Sequence, residues 1–130
     1  MINRFLAPAA LALIAFTGPA AAQTEDAQLL ERKCAAGAMM SCANLAVLYK
    51  NGRSAKRDPV RALTLFLRSC EGGIDFACGN VGEMTYLGLG IRANATQGES
   101  IIKGACRRGD AWSCETARRH GFKMLKGKPA

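Results

Sequence analysis

Cys70-Glu71-Gly72-Gly73-Ile74-Asp75-Phe76-Ala77-Cys78 is the stretch on which the fold turns. The same cysteine spacing stands 36 residues earlier, at Cys34 and Cys42, and 36 residues later, at Cys106 and Cys114. Other positions keep this phase. Gly37, Gly73 and Gly109 follow the first cysteine by three, Asn44 and Asn80 follow the second by two, and Gly52 pairs with Gly88. Leu45 matches Val81, and Leu65-Phe66 matches Ile101-Ile102. Self-similarity at a period of about 20–50 residues marks stacked supersecondary units.

Within a unit the pattern is helical. Asp58 supplies an N-cap and Pro59 a first helical residue whose missing N–H costs nothing there. Val60, Leu63, Phe66 and Leu67 fall on one face at helical spacing, with Arg61, Thr64 and Arg68 on the other. Gly72-Gly73 ends this helix, Asp75 begins the next, and Gly88-Leu89-Gly90 breaks that one. The spacing predicts helices over about 24–36, 39–50, 59–71, 75–87, 96–108 and 111–124. The expected fold is all-α: an α/α solenoid of about three helix hairpins, with units 23–58, 59–94 and 95–124.

The first cysteine of each pair falls at the end of one helix and the second in the first turn of its partner. A hairpin folded at the intervening glycine brings them together, which predicts Cys34–Cys42, Cys70–Cys78 and Cys106–Cys114 disulfides. Closing each loop is worth roughly 2.5 kcal/mol in the chain-entropy model. Structural zinc favours a closer cysteine spacing with histidines at ligand distance, whereas His120 is the single histidine. No redox-type C-x-x-C is present. No metal and no cofactor are expected.

Six cysteines in a short chain indicate an oxidising compartment. The N-terminus agrees. Arg4 precedes the uncharged apolar run from Phe5 to Phe16, and Ala20-Ala21-Ala22 offers small residues for cleavage. The apolar run is shorter than the roughly 18 residues a membrane span needs. Residues 1–22 are therefore expected to be a signal peptide cut near Ala22-Gln23, placing the protein in the periplasm or outside the cell. The net charge of +8 is concentrated toward the C-terminus, in Lys103, Arg107, Arg108, Arg118, Arg119, Lys123, Lys126 and Lys128. Such an end attracts acidic surfaces, although residues 125–130 also read as a solvated basic tail. Nucleic acid is not expected as a partner of an exported protein.

The strings Asp58-Pro59-Val60-Arg61-Ala62, Cys70-Glu71-Gly72-Gly73 and Ala77-Cys78-Gly79-Asn80-Val81-Gly82 resemble the Sel-1-like repeat, a relative of the tetratricopeptide repeat. The paired cysteines are similar to its secreted, cysteine-rich branch. The third unit departs from the pattern: Thr116 stands at the Asn position, and Arg118-Arg119 replaces small residues. It reads as a polar terminal cap, with Trp112 as a packing residue.

The resemblance implies an interaction scaffold that binds a protein or peptide on a concave face; a monomer is expected, and the basic C-terminal unit makes an acidic partner one candidate. Asn44 and Asn80 occupy the phase at which related clamps hold a peptide; the same residues could instead brace the helix pairing. Arg32, Arg61 and Arg68 lie on the outward face of the first helices, as binding residues or as a solvated face. The resemblance also raises an enzymatic alternative, because cysteine-rich relatives are described as penicillin-binding proteins or weak β-lactamases. Ser100-Ile101-Ile102-Lys103 formally gives S-x-x-K, in which a lysine could activate the serine. No S-D-N or K-T-G accompanies it, so no catalytic residue is assigned.

Overall fold

The computed structural model describes residues 26–124. The expected signal peptide, its cleavage position and the tail at 125–130 lie outside the described residues. Among the described residues there are six helices and no strand: α1 (Ala27–Ala35), α2 (Met39–Asn51), α3 (Pro59–Glu71), α4 (Asp75–Leu87), α5 (Ala95–Arg107) and α6 (Ala111–Arg119). The three disulfides are Cys34–Cys42, Cys70–Cys78 and Cys106–Cys114. Each joins an odd-numbered helix to the even-numbered helix that follows it. None of these helices is long and apolar enough to cross a membrane.

The helix limits follow from capping chemistry. The Asp58 carboxylate accepts the Arg61 N–H at 3.0 Å, and Asn94 does the same for Gln97 at 3.0 Å one unit later. At the other end of α3, Gly73 has φ 91°, and the Ile74 N–H donates to the Ser69 carbonyl at 3.1 Å. This left-handed stop satisfies carbonyls that the last turn leaves unpaired. Gly37 and Gly109 repeat it.

The most extensive packing is not within the disulfide hairpins. It runs between α4 and α5, and then between α2 and α3. Two glycines permit the first approach: a Cβ on Gly98 would lie 2.6 Å from the Gly82 carbonyl oxygen. The residues 36 positions earlier are Ala46 and Ala62, both fully buried. They belong to the central core with Ala43, Leu63, Phe66, Ala77, Val81 and Met84. Burial of this apolar surface is the main driving force for the stack.

The structure corrects one boundary. Helix α6 ends at Arg119 rather than near 124. Gly121 adopts φ 70°, its N–H donates to the Arg118 carbonyl, and the Phe122 N–H donates to Ala117 at 2.9 Å. The chain thus leaves the helix by the same glycine stop that ends α3. Phe122 folds back against Tyr86 of α4, with ring centroids 5.1 Å apart. His120 completes a three-ring cluster with them, 4.9 Å from Tyr86 and stacked on Phe122 at 5.3 Å.

Candidate functional site

The even-numbered helices share a face, and a depression of about 250 Å³ crosses all three. Lys50 reaches it from the last turn of α2, Asn80 and Glu83 from the middle of α4, and Trp112 and Arg119 from the two ends of α6. Glu83 is the hub. Its Oε2 lies 2.7 Å from Lys50 Nζ, and its Oε1 lies 3.6 Å from both Arg119 Nη2 and His120 Nε2. Lys50 also donates to Asn80 Oδ1 at 3.0 Å and stands 5.4 Å from the Trp112 ring centroid. Burial pushes the Glu83 carboxyl up. Lys50, by hydrogen bond and charge, with His120 and Arg119, outweighs burial and holds it below the ordinary carboxylate range.

The arrangement is unequal in charge. Two cations, Lys50 and Arg119, face one carboxylate, and Arg119 keeps about half of its side chain exposed. An additional anion is therefore favoured there, while Trp112, Phe76 and Val47 supply apolar wall.

Asn80 lines this depression but is only 1% exposed. Both ends of its amide are engaged inside the protein: Oδ1 accepts from Lys50, and Nδ2 donates to the Phe76 carbonyl at 3.0 Å. Asn44 stands half-buried at the matching position of α2. Arg32, Arg61 and Arg68 are exposed on the odd-numbered helices, in the other layer. Arg61 is ion-paired with Glu31 of α1 and lies 4.5 Å over the Tyr49 ring of α2. Arg68 points a guanidinium nitrogen at Cys34 Sγ, 3.8 Å away. Both arginines thus tie α3 back to the first hairpin.

The sequence pattern does not single out Lys50 or Glu83, marks Trp112 only as a packing residue, and counts Arg119 only as one of the basic residues of the C-terminal end. The reason is that these residues do not repeat. The counterparts of Lys50 are Tyr86 and Phe122, and those of Glu83 are Val47 and Arg119. A periodic reading keeps what recurs, whereas this site is assembled from what differs between units.

Ser100 and Lys103 lie on α5, along a separate open depression of about 500 Å³ that Tyr86, Glu99 and Arg107 also line. Lys103 Nζ donates to Glu99 Oε1 at 3.1 Å. The basic C-terminal part is partly neutralised in the same way, by Arg108–Asp75 and Arg118–Glu115. Among the described residues no group of histidine, cysteine and carboxylate side chains is placed to hold a metal.

Neither a protein-family model nor a curated protein sequence matches the chain significantly. Solved structures do. Cysteine-rich protein B of Helicobacter pylori is 27% identical, over 69% of this chain and 68% of that one, with a TM-score of 0.61. A Sel1 repeat protein from Oxalobacter formigenes is 17% identical, over 71% and 69% of the two chains, with a TM-score of 0.63. A protective antigen of uropathogenic Escherichia coli strains, c5321, displays the same repeat fold at 21% identity and a TM-score of 0.65. It is aligned over 74% of this chain and 21% of its own. The latter two bear on the fold alone. Helix order, the disulfide in every hairpin and these neighbours agree on the fold: the chain is an all-α solenoid of Sel1-like repeat architecture, similar to the cysteine-rich Helicobacter protein.

Proposed function

We propose that this protein is an exported monomeric scaffold that binds an acidic segment of a protein or peptide partner in the depression across α2, α4 and α6. The observation that carries this reading is the convergence of Lys50 and Arg119 on the single carboxylate of Glu83, beside Trp112. Concave, partly apolar sites with a few convergent polar groups are the usual form of a recognition surface. Export through cleavage at Ala22-Gln23 belongs to the same reading, and the disulfides are compatible with it. In this reading Asn44 and Asn80 hold the floor of the face. Arg32, Arg61 and Arg68 form an alternative binding edge on the other layer.

The test begins with a partner recovered by affinity purification from the native envelope and then purified. Its binding is titrated through the fluorescence of Trp112, the single tryptophan. Arg119→Glu should weaken binding at least about tenfold, since charge complementarity across an interface is worth about this much. Arg32→Glu and Arg68→Glu should leave it within about twofold. The reverse order would move the site to the odd-helix layer.

A further inference from the structure

A second depression, of about 330 Å³, lies beside the first, near the N-terminal ends of the even helices. Phe76 lines both, so the two adjoin along this face, and together they are its trough. At the same repeat position as Phe76 stand Met40 and Trp112. Phe76 and Trp112 meet edge to face at 5.4 Å, and Met40 is 52% exposed at the wall of the second depression. The three make an apolar ladder across the trough. The charged groups there are already partnered. Asp75 pairs with Arg108, and Asp110 accepts hydrogen bonds from the N–H and hydroxyl of Ser113. One end of the trough thus keeps a cationic excess, and the other sets the Met40–Phe76 apolar surface among charges that are already paired.

We infer that the trough recognises an extended peptide at two points: a carboxylate at Lys50 and Arg119, and a large apolar side chain on the Met40–Phe76 ledge. This rests on the even-helix face being the binding face. The spacing follows from helix geometry. Phe76 and Glu83 are seven residues apart on α4, which is about 10 Å at 1.5 Å per residue. An extended chain covers that in about three residues. The ligand therefore carries Leu, Ile, Met or Phe three or four positions from Asp, Glu or a free C-terminus. An exposed methionine suits such a ledge, because its flexible thioether side chain adapts to different apolar shapes.

The experiment selects random ten-residue displayed peptides on the disulfide-bonded protein. The best binders are then titrated by Trp112 fluorescence against wild type, Met40→Ser and Arg119→Gln. Both residues are more than half exposed, so the variants keep the fold. The expected result is the stated spacing among selected peptides and a roughly fivefold to tenfold loss with each variant, as one apolar or charged contact gives. Changing the peptide acid to its amide should cost wild type that factor and cost Arg119→Gln almost nothing. Peptides that depend on Arg119 but not on Met40, and show no spacing rule, would overturn the two-point inference and leave the proposed function standing. Absence of any selected peptide, or binding indifferent to both variants, would overturn both.

Discussion

Glu83 sits between opposed forces: burial, which raises its carboxyl pKa, and Lys50, His120 and Arg119, which together lower it further. Because the folded value is depressed, the ionised carboxylate contributes stability above its unfolded value, near 4.5, and that contribution is lost as the pH falls through the folded value. Glu83→Gln should therefore cost about 1–2 kcal/mol at neutral pH, since it leaves Lys50 facing a neutral group in a mostly buried setting. The difference from wild type should shrink below about pH 4.5. Urea denaturation at pH 7 and pH 3.5 measures both quantities, and an equal gap at the two pH values would show that the charge is not what matters. A second residue carries strain of another kind. Ser54 is the one non-glycine residue with positive φ among those described, at 55°, and its counterpart 36 residues on is Gly90, at 69°. Ser54→Gly removes the left-handed penalty of about 1 kcal/mol but loosens the unfolded chain. The expected outcome is a melting temperature equal to wild type or a few degrees higher, where an ordinary glycine substitution would lower it.

At the scale of the element, the helices were legible because each is bounded by chemistry that depends on a few adjacent residues. Asp58-Pro59 and Asn94 start helices and Gly73 stops one, and the structure shows these caps formed. The end of α6 was read too far along because the repeat register carries it to 123, matching Leu87 of α4. The local stop at His120-Gly121 overrides that register, as a glycine stop does wherever its carbonyls can be satisfied. Which helices pack most closely was not legible, because it depends on backbone approach rather than on apolar periodicity. Gly82 and Gly98 define that approach, and they predict a sharp sensitivity. Gly98→Ala ordinarily favours a helix by up to about 1 kcal/mol. Here its Cβ would stand 2.5 Å from the Tyr86 backbone nitrogen, so α4 and α5 must separate. The expected net effect is a loss of about 1–3 kcal/mol, the usual range for overpacking, measured by chemical denaturation. A gain in stability would mean that the two helices slide apart at little cost.

At the scale of the whole molecule, the disulfides and the close-packed pairs are out of step. Packing joins α2 to α3 and α4 to α5, while the disulfides join α1 to α2, α3 to α4 and α5 to α6. The constant cysteine spacing carried the topology and the pairing. It was silent on the candidate face, because Lys50, Glu83 and Arg119 come from three different units and no single unit contains the cluster. The offset has a mechanical consequence. A solenoid's stability is close to a sum of local terms and nearest-neighbour interface terms, so a cross-link that joins two closely packed helix pairs strengthens their coupling. Cys70–Cys78 is the staple between the two close-packed pairs, whereas Cys34–Cys42 secures only the terminal α1 to α2. Replacing either pair with serine forfeits roughly 2.5 kcal/mol of loop-closure entropy, but the two losses should appear differently. Without Cys70–Cys78, α2/α3 and α4/α5 should begin to unfold separately, giving a broadened or two-step denaturation curve and a lower slope. Without Cys34–Cys42, the main transition should stay sharp, with amide exchange accelerated mainly in α1. Native-state hydrogen exchange on the two double variants separates these outcomes. Uniform acceleration along the chain in both would mean that the stack unfolds as one unit whatever staple is missing.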